Sequence, residues 1–269
     1  MSDIQRADGK PVGHLGLGGS TETKPQWVDR AYRQGVDYFF FYNTRFSGMV
    51  RGVSALCRRH RSNIVIASGS ESRAPDDLVE ALSDTKQQLE TDYLDVFFLE
   101  YVAPSEAWED IEKALELLAG WKSDEHIRYV GVSVHDRDLA IRLAGRDEVD
   151  CLMHRYNMAH RKSEEAVLPE AIAAGVPVVA FTCTRWGSLL KGHAEWEGPI
   201  PDASDCYRFA LSHPAVRLAL TAPGSIGELD ANLTAMTDAP VSDSDLAVWR
   251  DYGDLVYGEG SDAFETRWP

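Results

Sequence analysis

Residues 95–134 read DVFFLEYVAPSEAWEDIEKALELLAGWKSDEHIRYVGVSV, and their pattern decides the fold. Two short runs, D-V-F-F-L-E and Y-V-G-V-S-V, stand at the two ends. Each is apolar at nearly every position, as a strand covered on both faces must be. Between them, after Pro104 and Ser105, the residues Trp108, Ile111, Leu115 and Leu118 recur at helical spacing, and Gly120 supplies a stop. A buried strand, an amphipathic helix and a second buried strand make a βαβ unit, which predicts a parallel sheet.

The same alternation extends outward to both ends. Strand-like runs fall at 14–18, 37–41, 63–68, 95–100, 129–134, 150–157, 177–182 and 217–222. Helix-like spacing follows Pro75 at Leu78, Leu82 and Leu89, and returns over 164–174 before Gly175. Eight alternations in 269 residues match one (β/α)8 TIM barrel of about 250 residues. No linker or repeat interrupts them, so 1–269 reads as a single domain. The turn Ala7-Asp8-Gly9-Lys10 predicts an N-terminal β-hairpin ahead of the barrel.

Composition narrows the function. A net charge of −16 excludes a protein that tracks nucleic-acid phosphates, which needs a basic stripe. Residues 192–269 carry four basic side chains (Arg208, Arg217, Arg250, Arg267) against fourteen acidic ones, read as solvated acidic helices. Four cysteines without a C-x-x-C pair suit reduced thiols rather than a disulfide frame or a zinc site. The first ten residues are polar, and no apolar run reaches the ~20 residues of a membrane helix. The expectation is a cytoplasmic protein acting on a small molecule, with neither membrane nor nucleic acid as partner.

In a TIM barrel the chemistry sits where each strand hands over to its loop at the C-terminal mouth. That rule gathers Tyr42, Asn43, Arg45, Ser70, Glu71, Glu100, Tyr101, His135, Arg155, Tyr156, Asn157, Arg185 and Trp186. Strand alternation turns Glu100 inward with Phe98, and gives Arg155 the parity of Met153 and Asn157. A carboxylate held in a partly apolar mouth acquires a raised pKa and serves as acid or base. The plainer alternative is a Glu100–Arg155 salt bridge that closes the barrel top. His135 and His154 lack a partner at metal-ligand spacing, so no metal is expected. Asp136 caps the helix that follows, and Cys183 reads as a packed thiol.

Several segments together resemble the aldo-keto reductase superfamily. They are L-G-L-G-G, A-Y-R-Q-G-V-D-Y-F-F, L-E-T-D-Y-L-D-V-F-F-L, I-R-Y-V-G-V-S, R-Y-N-M-A-H-R, V-V-A-F-T and L-S-H-P-A-V-R-L-A-L-T-A-P-G-S, in that order along most of the chain. The resemblance implies the (β/α)8 barrel and NADPH-dependent carbonyl reduction by a tyrosine proton donor with a lysine, an aspartate and a histidine. Here the aspartate position falls on Phe40 or Phe41, the tyrosine on Arg45 or Phe46, the lysine on Ser68 or Gly69, and the histidine on Glu100. All four functional groups are gone.

By the same resemblance, Ser133, Asn157, Phe181, Thr182, Gly224 and Ser225 are the residues left to hold NADP(H). The lysine and arginine that clamp its 2′-phosphate are missing, and the following helix brings Glu228 and Asp230 instead. Nicotinamide binding is therefore expected to be weakened.

The candidate catalytic set is Glu100, Tyr42, Arg155 and His135. The candidate substrate set is Asn43, Arg45, Phe46, Tyr101, Arg185 and Trp186. Three readings follow: an aldo-keto reductase-like enzyme with non-standard chemistry at Glu100, a non-catalytic binding or regulatory relative, and an NADP(H)-dependent reductase with a replaced proton donor.

Overall fold

A computed structural model of the chain describes residues 4–239 and 241–258. Of the terminal residues read above, 1–3 and 259–269, which include Arg267, lie outside that description. Eight strands close into a barrel in the order of the sequence, each parallel to the next. They are β1 (Leu15–Gly18), β2 (Tyr38–Phe40), β3 (Val65–Ser70), β4 (Leu94–Val102), β5 (Ile127–Val134), β6 (Cys151–Arg155), β7 (Val178–Phe181) and β8 (Val216–Thr221). β8 returns to β1 through Leu15↔Ala219 and Leu17↔Thr221, which leaves the barrel no open edge.

The helices between strands are α1 (Pro25–Arg33), α2 (Ser47–His60), α3 (Pro75–Leu89), α4 (Trp108–Ser123), α5 (Arg137–Ala144), α6 (Val167–Ala174) and α7 (Ala203–Leu211). α8 (Ile226–Leu233) follows β8, and α9 (Asp243–Tyr257) is an additional helix beyond the eight units. The Asp136 carboxylate caps α5 by accepting from the Leu139 N–H at 2.8 Å. Gly120 does not stop α4, which runs on to Ser123. Its end is set by Asp124 and by Glu125 at φ +62, so the glycine costs helix propensity without breaking the ladder. Gly175 ends α6 in the left-handed conformation, as its position implied.

Strand alternation sorts the core into two layers. Leu15, Leu17, Phe39, Phe41, Phe97 and Leu99 face the helices, whereas Tyr38, Phe40, Val96, Phe98, Met153 and Val179 fill the barrel. Phe98 is accommodated because Gly131 stands beside it: a Cβ there would lie 2.4 Å from the ring. The N-terminal hairpin is short, with one antiparallel bridge between Gln5 and Pro11 around Gly9. It carries Ile4 and Val12 onto the barrel interior cluster.

Opposite the mouth, Asp95 is fully buried and holds Arg61 at 2.7 Å, Arg128 at 2.8 Å and the Ile66 N–H at 2.9 Å. This network ties β3, β4 and β5 to the turn after α2 and satisfies the buried charge.

Candidate active site

The β4 strand does not finish regularly. Leu99 pairs with Val132 and Val102 with Val134, so two residues of β4, Glu100 and Tyr101, face the single residue Ser133 of β5. Such a bulge re-aims side chains. Tyr101 takes φ +52, and both Glu100 and Tyr101 end on one cavity, which a regular strand would forbid.

That cavity lies at the C-terminal mouth and has a volume of about 270 Å³. Glu100, Ser133 and Thr182 supply its buried polar groups, and Phe40, Tyr42, Tyr101, Phe181, Trp186 and Tyr207 supply rings. Glu100 is 2% exposed, and its Oε1 has no hydrogen-bond partner among the described residues. Burial pushes the carboxyl up from 4.5 to about 8; Ser133 beside it works the other way, Glu71 adds to the rise, and Arg73 opposes it. Thr182 Oγ1 is buried in the same cavity, also without a partner among the described residues.

Among the described residues, the non-glycine positions with positive φ are Glu90 and Glu125 at helix ends, Tyr101 and Trp186 on this cavity, and Arg185 next to Trp186 in the chain. Left-handed backbone at bulky residues costs energy and collects at functional sites. Arg73 fixes the bulge from behind, donating to the Glu100 carbonyl at 2.8 Å and pairing with Glu106 at 2.7 Å. Nothing in the spacing of the sequence marked Arg73, and Tyr207 was equally unmarked because it arrives from α7, far along the chain.

The structure brings Glu100, Tyr42, Tyr101, Ser133, Phe181, Thr182 and Trp186 together. Arg155 and His135 are placed elsewhere, on a neighbouring cavity of about 470 Å³ with His160 and Arg250. β6 ends at Arg155, so the inward parity of Met153 does not carry its head group into the mouth. Glu100 makes no salt bridge among the described residues. His135 packs instead between Tyr101 and Phe181, with ring centroids 5.6 and 5.1 Å away. Burial, then the charge of Arg155, lowers its pKa to about 4.

His154 faces away from the mouth and braces β5 and the β6 loop. Its Nδ1–H donates to the Val134 carbonyl at 2.7 Å, and Nε2 accepts from Ser163 at 2.9 Å. Tyr156, on the mouth set by sequence, also faces outward and donates to Glu164 at 2.6 Å. Asn43 borders a separate polar groove with Ser70 and Glu71, Arg45 is exposed, and Phe46 packs edge-on against Tyr42 at 5.1 Å. Arg185 is buried and donates to the Val256 carbonyl of α9. Of the two candidates for the aspartate position, only Phe40 lines the mouth, since Phe41 faces the helices.

Asn157 is spent on its own loop. Its Nδ2 donates to Thr182 O at 2.8 Å, and its Oδ1 accepts from the backbone N–H of Ala159 and His160. At the start of α8, Ser225 accepts the Glu228 N–H, and the Glu228 carboxylate takes the Gly224 N–H at 2.9 Å. The helix therefore caps itself with its own anion. Cys183 is buried, with its thiol pushed up to about 12 by desolvation.

The closed parallel barrel thus holds its buried acid at the C-terminal ends of the strands, the face on which barrels of this kind carry their sites. The chain belongs to the aldo/keto reductase family, whose family model matches residues 53–205. Among solved structures it is similar to the holo form of aldo-keto reductase AKR11C1 from Bacillus halodurans, at 19% identity over 95% of this chain and 96% of that one, with a TM-score of 0.75. It is also similar to an aldo-keto reductase from Klebsiella pneumoniae in complex with NADPH, at 20% identity over 94% and 96% of the two chains, with a TM-score of 0.73. Aldose reductase from Giardia lamblia matches at 15% identity over 90% and 92%, with a TM-score of 0.68. At these identities the likeness is one of fold. No curated protein matches the sequence. Among the described residues, no helix is long and apolar enough to cross a membrane.

Proposed function

We propose that this chain is an aldo/keto reductase-family enzyme that moves protons at Glu100 on a small molecule in the barrel mouth, without a nicotinamide. The observation that carries the reading is the Glu100 carboxyl, buried, unpartnered at Oε1 and exposed only to the mouth cavity. With a pKa of about 8, both its forms are populated near neutral pH, as an acid–base catalyst requires. As carboxylate, Glu100 takes a proton from a substrate carbon or hydroxyl, and as acid it returns that proton to another atom of the same molecule. The net change is an isomerisation, or a dehydration when the proton leaves with a hydroxyl as water. The Thr182 hydroxyl stands in the same cavity to hydrogen-bond an oxygen that gains charge.

The Klebsiella relative binds NADPH, but the residues here do not fit that nucleotide. The Gly224 N–H that would meet the adenosine phosphate already holds Glu228, and a second anion there would meet that carboxylate. Asn157, one of the residues left to hold the nucleotide, has its amide engaged in its own loop. A cavity of about 270 Å³ lined by a buried carboxyl and six rings also favours catalysis over a binding module. The test is titration with NADPH and NADH, read by nucleotide fluorescence and thermal shift. Neither should bind at millimolar concentration, and low-micromolar binding of either would overturn the cofactor-free reading.

A further inference from the structure

Building on that reading of Glu100, we propose that the mouth cavity selects small organic amines that carry positive charge on a nitrogen with apolar substituents. The lining contains six aromatic rings, one carboxyl and no lysine, arginine or histidine. Ring faces carry partial negative charge, and rings arranged around a cavity attract alkylated ammonium groups. An anionic ligand would find no cation there and would be repelled by an ionised Glu100.

The groove on the Tyr42 side has the same sign. Tyr42 is shared with the adjoining groove of about 360 Å³, whose charged lining residues are Glu71 and Asp84. The net charge of −16 adds a long-range field that concentrates cations at such a mouth. Tyr42, Tyr101 and Trp186 are each 41–48% exposed at the rim, while Phe40 and Glu100 lie below them. A ligand thus passes between rings before its nitrogen meets the carboxyl.

The arrangement also serves the chemistry. A positive nitrogen next to a C–H bond acidifies it, which brings that carbon closer to the reach of a carboxylate base. Groups facing Glu100 from the elements around it are Ser133 on β5, Glu71 and Arg73 beyond β3, Tyr38 on β2 and Cys151 on β6. Of these only Arg73 is cationic, and its guanidinium is held by Glu106.

Choline and 3,3-dimethyl-1-butanol, its uncharged isostere, separate charge from shape. Their binding is measured by calorimetry at pH 9, where Glu100 is ionised. Choline should bind at least tenfold more tightly than the alcohol, and the preference should shrink severalfold in E100Q. Trp186→Ala, a change at the exposed rim that leaves the barrel core intact, should weaken choline at least fivefold. Equal or tighter binding of the alcohol, or undiminished choline binding in both variants, would overturn the assignment. The two proposals fail separately, because the charge preference is read from equilibrium binding and the acid–base role from the titration of Glu100 itself.

Discussion

Glu100 occupies the space that a side chain at residue 69 would need. A Cβ on Gly69 would lie 2.7 Å from Glu100 Oε1 and 2.9 Å from its Cγ. Residue 69 is one of two positions on which the family's lysine falls, and it shares the inward parity of Val65 and Ala67. A side chain at residue 69 and the buried Glu100 carboxyl would thus compete for the same space. Gly69→Ala is expected to cost about 2 kcal/mol, since the new methyl also meets the Phe98 carbonyl at 2.5 Å. Chemical denaturation of G69A, E100G and the double variant should give a cost for the pair below the sum of the singles.

The pH dependence of stability follows from the same carboxyl. Its folded pKa is raised, so its contribution is full below about 4.5 and is lost as pH climbs through about 8. Wild type should lose a few kcal/mol relative to E100Q between pH 5 and pH 9. Denaturant melts at both pH values check this, and parallel pH profiles for the two proteins would contradict it.

The acid side has the opposite sign. Burial, with Arg155 nearby, lowers His135 and His154 to about 4 and His160 to about 3. These depressed groups favour the fold above about 6.5 and withdraw that support as pH falls toward their folded values. Stability measured from pH 7 down to pH 4 should fall steadily, and His154→Gln should flatten part of that slope.

At the opposite end of the barrel, Asp95→Ala removes the partner of Arg61 and Arg128. Because the other charges stay partly buried, the expected loss is about 3–5 kcal/mol. Urea unfolding measures it, and a loss under ~1 kcal/mol would show that water already screens the pair.

Asn157→Ala distinguishes a brace from a nucleotide ligand. With four hydrogen bonds, to its own loop and to the residue after β7, it should cost about 1–3 kcal/mol of stability. A variant of unchanged stability whose nucleotide affinity collapses would place the residue in a cofactor site instead.

The barrel was legible because buried parallel strands are apolar at every position and leave period and spacing intact. Runs such as D-V-F-F-L-E needed no partner to be recognised, and alternation turned Glu100 inward correctly. Position within the mouth was less legible. Parity assigned Arg155 to the Met153 side, yet β6 stops there and the guanidinium lines the next cavity. The bulge that lets Glu100 and Tyr101 share a cavity has no motif, since it is set by the register of β4 on β5. Gly120 looked like a helix stop because composition carries no information about the packing of Leu118 and Trp121, which keeps α4 going. The self-capping of α8 by Glu228 was half visible as a misplaced acid after G-S, although its hydrogen bond to Gly224 required the loop geometry.

The titration of Glu100 tests the central claim most directly. Infrared difference spectra of wild type against E100Q, taken from pH 4 to pH 10, isolate its carboxylic acid band. A band that disappears with a midpoint near 8 is the predicted result. A midpoint near 4.5, the value of a solvated glutamate, would contradict the account, because Glu100 would then stay ionised at neutral pH and could not return the proton it takes.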